Sequence, residues 1–69
     1  MNASDVERLV RDVIVDRGLP FTVLSVSRFP SGWNITVRTD VGAIVRFAVF
    51  DGRPVAMRTT IQDMLEAEF

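Results

Sequence analysis

The side chains able to do chemistry in this 69-residue chain are few in kind. Eight are basic and nine acidic, every basic one is an arginine, and His, Cys, Lys and Tyr are absent. That inventory removes the usual general base, thiolate nucleophile, Schiff-base amine and phenol. A zinc or other transition-metal site would have to be assembled from carboxylates and carbonyls alone. Ser4, Ser25, Ser27 and Ser31 have no base to activate them. Paired-carboxylate hydrolysis needs two acids facing one cleft. The acids here fall mainly on polar helix faces, where a solvated surface is the ordinary explanation. The expectation is a non-enzyme with no cofactor and no metal.

Arginine is the residue type whose placement carries a functional reading. Residues 21–58 hold Arg28, Arg38, Arg46, Arg53 and Arg58 against Asp40 and Asp51, a local charge of +3 within a chain of net charge −1. Residues 59–69 hold Asp63, Glu66 and Glu68 and no base. Guanidinium forks bind phosphate bidentately, so a face carrying Arg28, Arg38, Arg46 and Arg58 would suit a phosphate ligand or a nucleic-acid backbone. Against this, arginine stems also serve to cover apolar neighbours while their heads stay in water. Readers of single-stranded RNA further place aromatics among the basic groups.

These residues need elements to position them. Val6, Leu9, Val10, Val13 and Ile14 recur at helical spacing, which predicts a first helix over about 5–17. Ser4 with Glu7 reads as its capping box, and Gly18-Leu19-Pro20 as its stop. Three strand-like runs follow, 21–29, 33–39 and 43–50. Pro30-Ser31-Gly32 and Asp40-Val41-Gly42 separate them, each with the form of a three-residue hairpin loop ending in a left-handed glycine. Those loops pair Phe29 with Trp33, Ser27 with Ile35, Ser25 with Val37 and Val23 with Thr39. The second pairs Val37 with Val45, Ile35 with Phe47 and Trp33 with Val49. One face then gathers Phe21, Val23, Phe29, Trp33, Ile35, Val37, Val45, Phe47 and Val49. A slip of one residue would scatter that set. Trp33 is read as a core or rim anchor rather than a ligand-stacking ring.

Residues 51–60 carry conflicting signals. Asp51-Gly52 is a hairpin dipeptide, and Val55 and Met57 alternate with Ala56 and Arg58. Residues 53–58 are therefore read as a fourth strand and 60–68 as a short helix, the alternative being one helix from Pro54 to Phe69. The fold expected is α+β in a single domain over 1–69. An N-terminal helix, a three- to four-stranded antiparallel meander and a C-terminal helix follow in order, with both helices on one sheet face. The order helix–strand–strand–strand–helix is similar to that of double-stranded-RNA-binding domains. A basic motif opens the last helix of that family. Here that region reads Thr59-Thr60-Ile61-Gln62-Asp63, and no residue role is carried over.

With both helices on one side, the opposite sheet face stays open. It is expected to carry Leu24, Val26, Arg28, Arg38, Ile44, Arg46 and Arg58. An apolar centre among arginines is interface composition. The functional expectation is a small interaction module, self-associating or partner-binding through this face or an edge strand, with nucleic-acid or phosphate binding as the alternative. No segment approaches the roughly 18 apolar residues of a membrane span, and the first twenty residues hold seven charges. The chain is expected to work in the cytoplasm.

Overall fold

In the computed structural model, which describes residues 1–69, helix α1 spans Ala3–Arg17. Its capping box lies two residues ahead of the expected one. Asn2 Oδ1 accepts from the Asp5 backbone N–H, and Asp5 Oδ2 accepts from the Asn2 N–H, both at 3.0 Å. An Asn–Asp pair does the same work as Ser–Glu with a shorter reach. At the other end Gly18 takes φ 63°, and the Leu19 N–H returns to the Ile14 carbonyl at 2.9 Å. This is the left-handed stop the sequence predicts.

Three antiparallel strands form one open sheet in the order β1-β2-β3: β1 at Thr22–Phe29, β2 at Gly32–Arg38 and β3 at Ile44–Phe50. The β2–β3 hairpin has the expected register, Val37 with Val45, Ile35 with Phe47 and Trp33 with Val49. Gly42 supplies the expected positive φ, 84°.

The β1–β2 hairpin differs. Its loop is the two residues Pro30 and Ser31, and Gly32 belongs to β2 without a positive φ. Phe29 therefore faces Gly32, Arg28 faces Trp33 and Val26 faces Ile35. A one-residue shift of this kind inverts a strand's faces. A β-bulge between Val23 and Ser25 then shifts the strand back, so Val23 faces the core as expected, although it pairs with Val37 rather than Thr39. Phe29 turns outward as a result, and Val26 packs against the core.

The fourth strand does not form. Helix α2 runs from Pro54 to Ala67, the single-helix alternative. Proline at its first turn loses no hydrogen bond there. Thr59 and Thr60, poor interior residues in an isolated helix, return their hydroxyls to the Val55 and Ala56 carbonyls at 3.1 Å. Both thus satisfy their hydroxyls within the helix. Tertiary burial of Met57, Ile61 and Leu65 supplies the rest, as it does for most short helices.

Both helices lie on one sheet face. Val6, Val10 and Val13 from α1 and Met57, Ile61 and Leu65 from α2 meet Val23, Trp33, Ile35, Val37, Phe47 and Val49 in one core. Phe21 joins them and stacks edge-on against Phe69, with ring centroids 6.4 Å apart. No helix is long and apolar enough to cross a membrane.

Candidate functional site

The uncovered sheet face is built from four rows of residues, each crossing β1, β2 and β3 in turn: Phe29–Gly32–Phe50, Ser27–Asn34–Ala48, Ser25–Thr36–Arg46 and Thr22–Arg38–Ile44. The middle rows form an open basin of about 490 Å³ lined by Ser25, Ser27, Asn34, Thr36 and Arg46. Apolar groups flank it. Ile44 is 52% exposed, Phe50 73% and Leu24, at the bulge, 45%. The Phe29 and Phe50 rings meet edge-to-face across Gly32, 6.3 Å between centroids. A side chain at Gly32 would collide with the Val49 carbonyl and the Phe50 Cα. The glycine is there because two strands and two rings close over it.

The expected arginine platform is dispersed. Arg38 and Arg46 stand on the open face, and neither has an ion-pair partner. Arg28 does not join them. The shifted register sends it to the Trp33 side, where its guanidinium lies 4.7 Å from the indole centroid and its Nη2 bonds Asp51 Oδ2 at 2.6 Å. Arg58 is on α2, reaching Asp16 of α1 at 3.2 Å. Arg17 bonds Glu66 at 2.8 Å, which ties the two helices a second time. Val26 likewise leaves the open face for the core edge. Of the seven residues expected to share this face, Leu24, Arg38, Ile44 and Arg46 do so.

A second concavity, about 630 Å³ and wide open, lies between the start of α1 and the end of β3. Its polar groups already satisfy each other. The Trp33 indole N–H donates to Asp51 Oδ1 at 2.7 Å, and Arg28 takes the other oxygen. The Trp33 hydrogen bond, then the Arg28 fork and charge, hold the Asp51 carboxyl below the usual aspartate range. That direction fits a carboxylate receiving several donors. No three His, Cys, Asp or Glu side chains gather as a metal-ligand set.

The sheet has two free edges, and they are not equivalent. β1 is interrupted by its bulge, a device that twists an edge away from pairing. β3 runs Ile44–Phe50 without a break, contains no Pro or Gly and carries one charge, Arg46. The Thr39 N–H bonds the Ala43 carbonyl and the Asp51 N–H bonds the Ser31 carbonyl. Those two pairs, each one residue beyond an end of the β2–β3 ladder and in its register, fix its alternation. Odd-numbered residues of β3 bond to β2, so Ile44, Arg46, Ala48 and Phe50 direct their N–H and C=O groups outward. The sequence singles out Ile44 and Arg46 but passes over Ala48 and Phe50. The signal for them was the run Ile44-Val45-Arg46-Phe47-Ala48-Val49-Phe50, β-prone and nearly uncharged.

Compared with protein families, with curated proteins and with solved structures, the chain has no match.

Proposed function

We propose that this domain is a non-catalytic interaction module that works by strand addition at the β3 edge, with the open sheet face extending the contact. The observation that carries the reading is the pairing of an unprotected edge with exposed apolar side chains on its own residues. Ile44 and Phe50 each present a bare backbone and a bare hydrophobic group at the same position. Added strands draw affinity from main-chain hydrogen bonds and specificity from the alternate side chains. Both are supplied here by one seven-residue segment.

Phosphate or nucleic-acid binding is the weaker reading. Arg28, Arg58, Arg17 and Arg11 are engaged by Asp51, Asp16, Glu66 and Glu7. Arg38 and Arg46 remain on the face, and the exposed aromatic ring beside them, Phe50, sits at the rim. Phosphate contacts are strongest at low salt. A titration with RNA and DNA at low ionic strength that shows tight, salt-dependent binding would restore that reading.

The test of strand addition is Ala48→Pro. Its N–H faces outward, so the ladder to β2 keeps all its bonds while the edge loses a donor and gains a ring. Circular dichroism should match the wild type. Association, with itself by light scattering or with a purified partner, should fall sharply. Association unchanged by this substitution contradicts the reading.

A further inference from the structure

The geometry of β3 points to its occupant: we infer that a second copy of this chain pairs with it, β3 antiparallel to β3 about a two-fold axis at Phe47, making a six-stranded sheet. The inference rests on the strand-addition reading above and names the partner and the register.

Hydrogen-bond alternation restricts the choice. The outward-directed residues Ile44, Arg46, Ala48 and Phe50 must oppose outward-directed residues of the second strand. Three central registers satisfy this, with the axis at Arg46, at Phe47 or at Ala48. An axis at Arg46 sets two guanidinium stems directly opposite each other, which is unfavourable. It also leaves Phe50 facing Gly42, outside the strand. An axis at Ala48 leaves Ile44 facing Gly52, likewise outside the strand. The axis at Phe47 uses all four outward residues on both copies. It closes roughly eight backbone hydrogen bonds, two for each bonded pair.

The side chains agree with that register. On the open face, Ile44 meets Phe50 of the second copy and Arg46 meets Ala48. The two large apolar groups that each copy exposes on this strand are thereby covered by each other. On the helix face, Val45 meets Val49 and Phe47 meets Phe47. Such self-complementarity, residue i on j and j on i, is what an isologous two-fold contact requires.

Helix α2 leaves room for this. Arg58 and Glu66 lie on its flank toward α1, held by Asp16 and Arg17. With Met57, Ile61 and Leu65 buried between, helical spacing of about 100° per residue puts Ala56, Thr60 and Met64 on the opposite flank, above the β3 edge. All three are exposed and none is charged. Two such flanks approach across the axis without opposing ion to ion.

The chain has no cysteine, so paired thiols can read the register. Arg46→Cys and Ala48→Cys are prepared separately, mixed and mildly oxidised. The opposed positions lie about 5.5 Å apart between Cα atoms, within disulfide reach. The expected result is a disulfide-linked dimer in the mixture, little in either variant alone, and a wild-type mass of twice the chain by light scattering. Ala48→Pro should weaken association at least about tenfold, as the loss of a donor and the ring clash require. A wild-type monomer at about 1 mM, where even a 4 kcal/mol contact would be half formed, overturns the inference. So does a dimer in which each variant links to itself as well as the mixture does, or in which no variant links. If the wild type is monomeric but a different protein binds in an Ala48→Pro-sensitive manner, the second copy is refuted while strand addition stands.

Discussion

The Trp33 indole N–H and the Asp51 carboxylate lie 2.7 Å apart, joining the start of β2 to the residue that follows β3. Arg28 completes the arrangement from β1, bonding the same carboxylate and covering the indole. The Asp51 backbone N–H also returns to Ser31. All three strands are thus fastened at the end where the open face carries Phe29 and Phe50.

Asp51 has its carboxyl held below the ordinary range, principally by the Trp33 hydrogen bond. A group whose folded-state pKa is depressed stabilises the fold above its unfolded value, about 4 for aspartate. That contribution is lost as pH falls through the lower folded value. Asp51→Asn should therefore lower the urea midpoint at pH 7 and flatten its decline below pH 4. Trp33 fluorescence should change with it. An acid limb identical to the wild type's would contradict the assignment.

Gly32→Ala should destabilise by about 1–3 kcal/mol, the usual cost of forcing a methyl into a filled space. The added carbon meets backbone atoms of β3, which cannot move aside as a flexible side chain can. Gly52→Ala, with open space around it, should change stability by no more than about 0.5 kcal/mol. Chemical denaturation of the two variants makes the comparison.

Ile61 is fully buried at the centre of the inward stripe of α2. Ile61→Ala should cost about 2–5 kcal/mol. Domain stabilities run to about 5–15 kcal/mol, so the loss is a large part of the total for so short a chain. Urea titration followed by circular dichroism measures it.

Arg58→Met, by contrast, should change stability by less than about 1 kcal/mol, because the pair with Asp16 is largely solvated. It should leave association through β3 untouched, since Arg58 faces α1. A large loss of association on this substitution would place the working surface on the helix layer instead.

Much of the fold was legible because two kinds of signal coincided. The helical spacing of Val6, Val10 and Val13 predicted the buried stripe of α1. Gly42 and the alternation around it predicted the β2–β3 register residue by residue. The β1–β2 hairpin was not legible, because two departures cancel. A loop one residue shorter than expected inverts β1, and the bulge between Val23 and Ser25 inverts it back. Phe21 and Val23 therefore sit where the pattern puts them, while Val26, Arg28 and Phe29 between the two departures are reversed. Nothing in the chain's local propensity marks that stretch. Simple alternation therefore puts Arg28 on the open face, and only the shifted register brings it to Asp51. Residues 53–58 look like a strand in the sequence because Val55 and Met57 alternate with Ala56 and Arg58, yet they belong to α2. Burial of Met57 with Ile61 and Leu65, four residues apart each time, outweighs that alternation.

The edge of β3 is tested most directly by amide hydrogen exchange as a function of protein concentration. In the dilute protein the amides of Ile44, Arg46, Ala48 and Phe50 have no partner and should exchange rapidly. As concentration rises they should become protected together, while Val26 and Arg28, whose amides face the other free edge, keep their rates. If all four exchange as fast at about 1 mM as in the dilute protein, pairing of β3 with a second copy is contradicted.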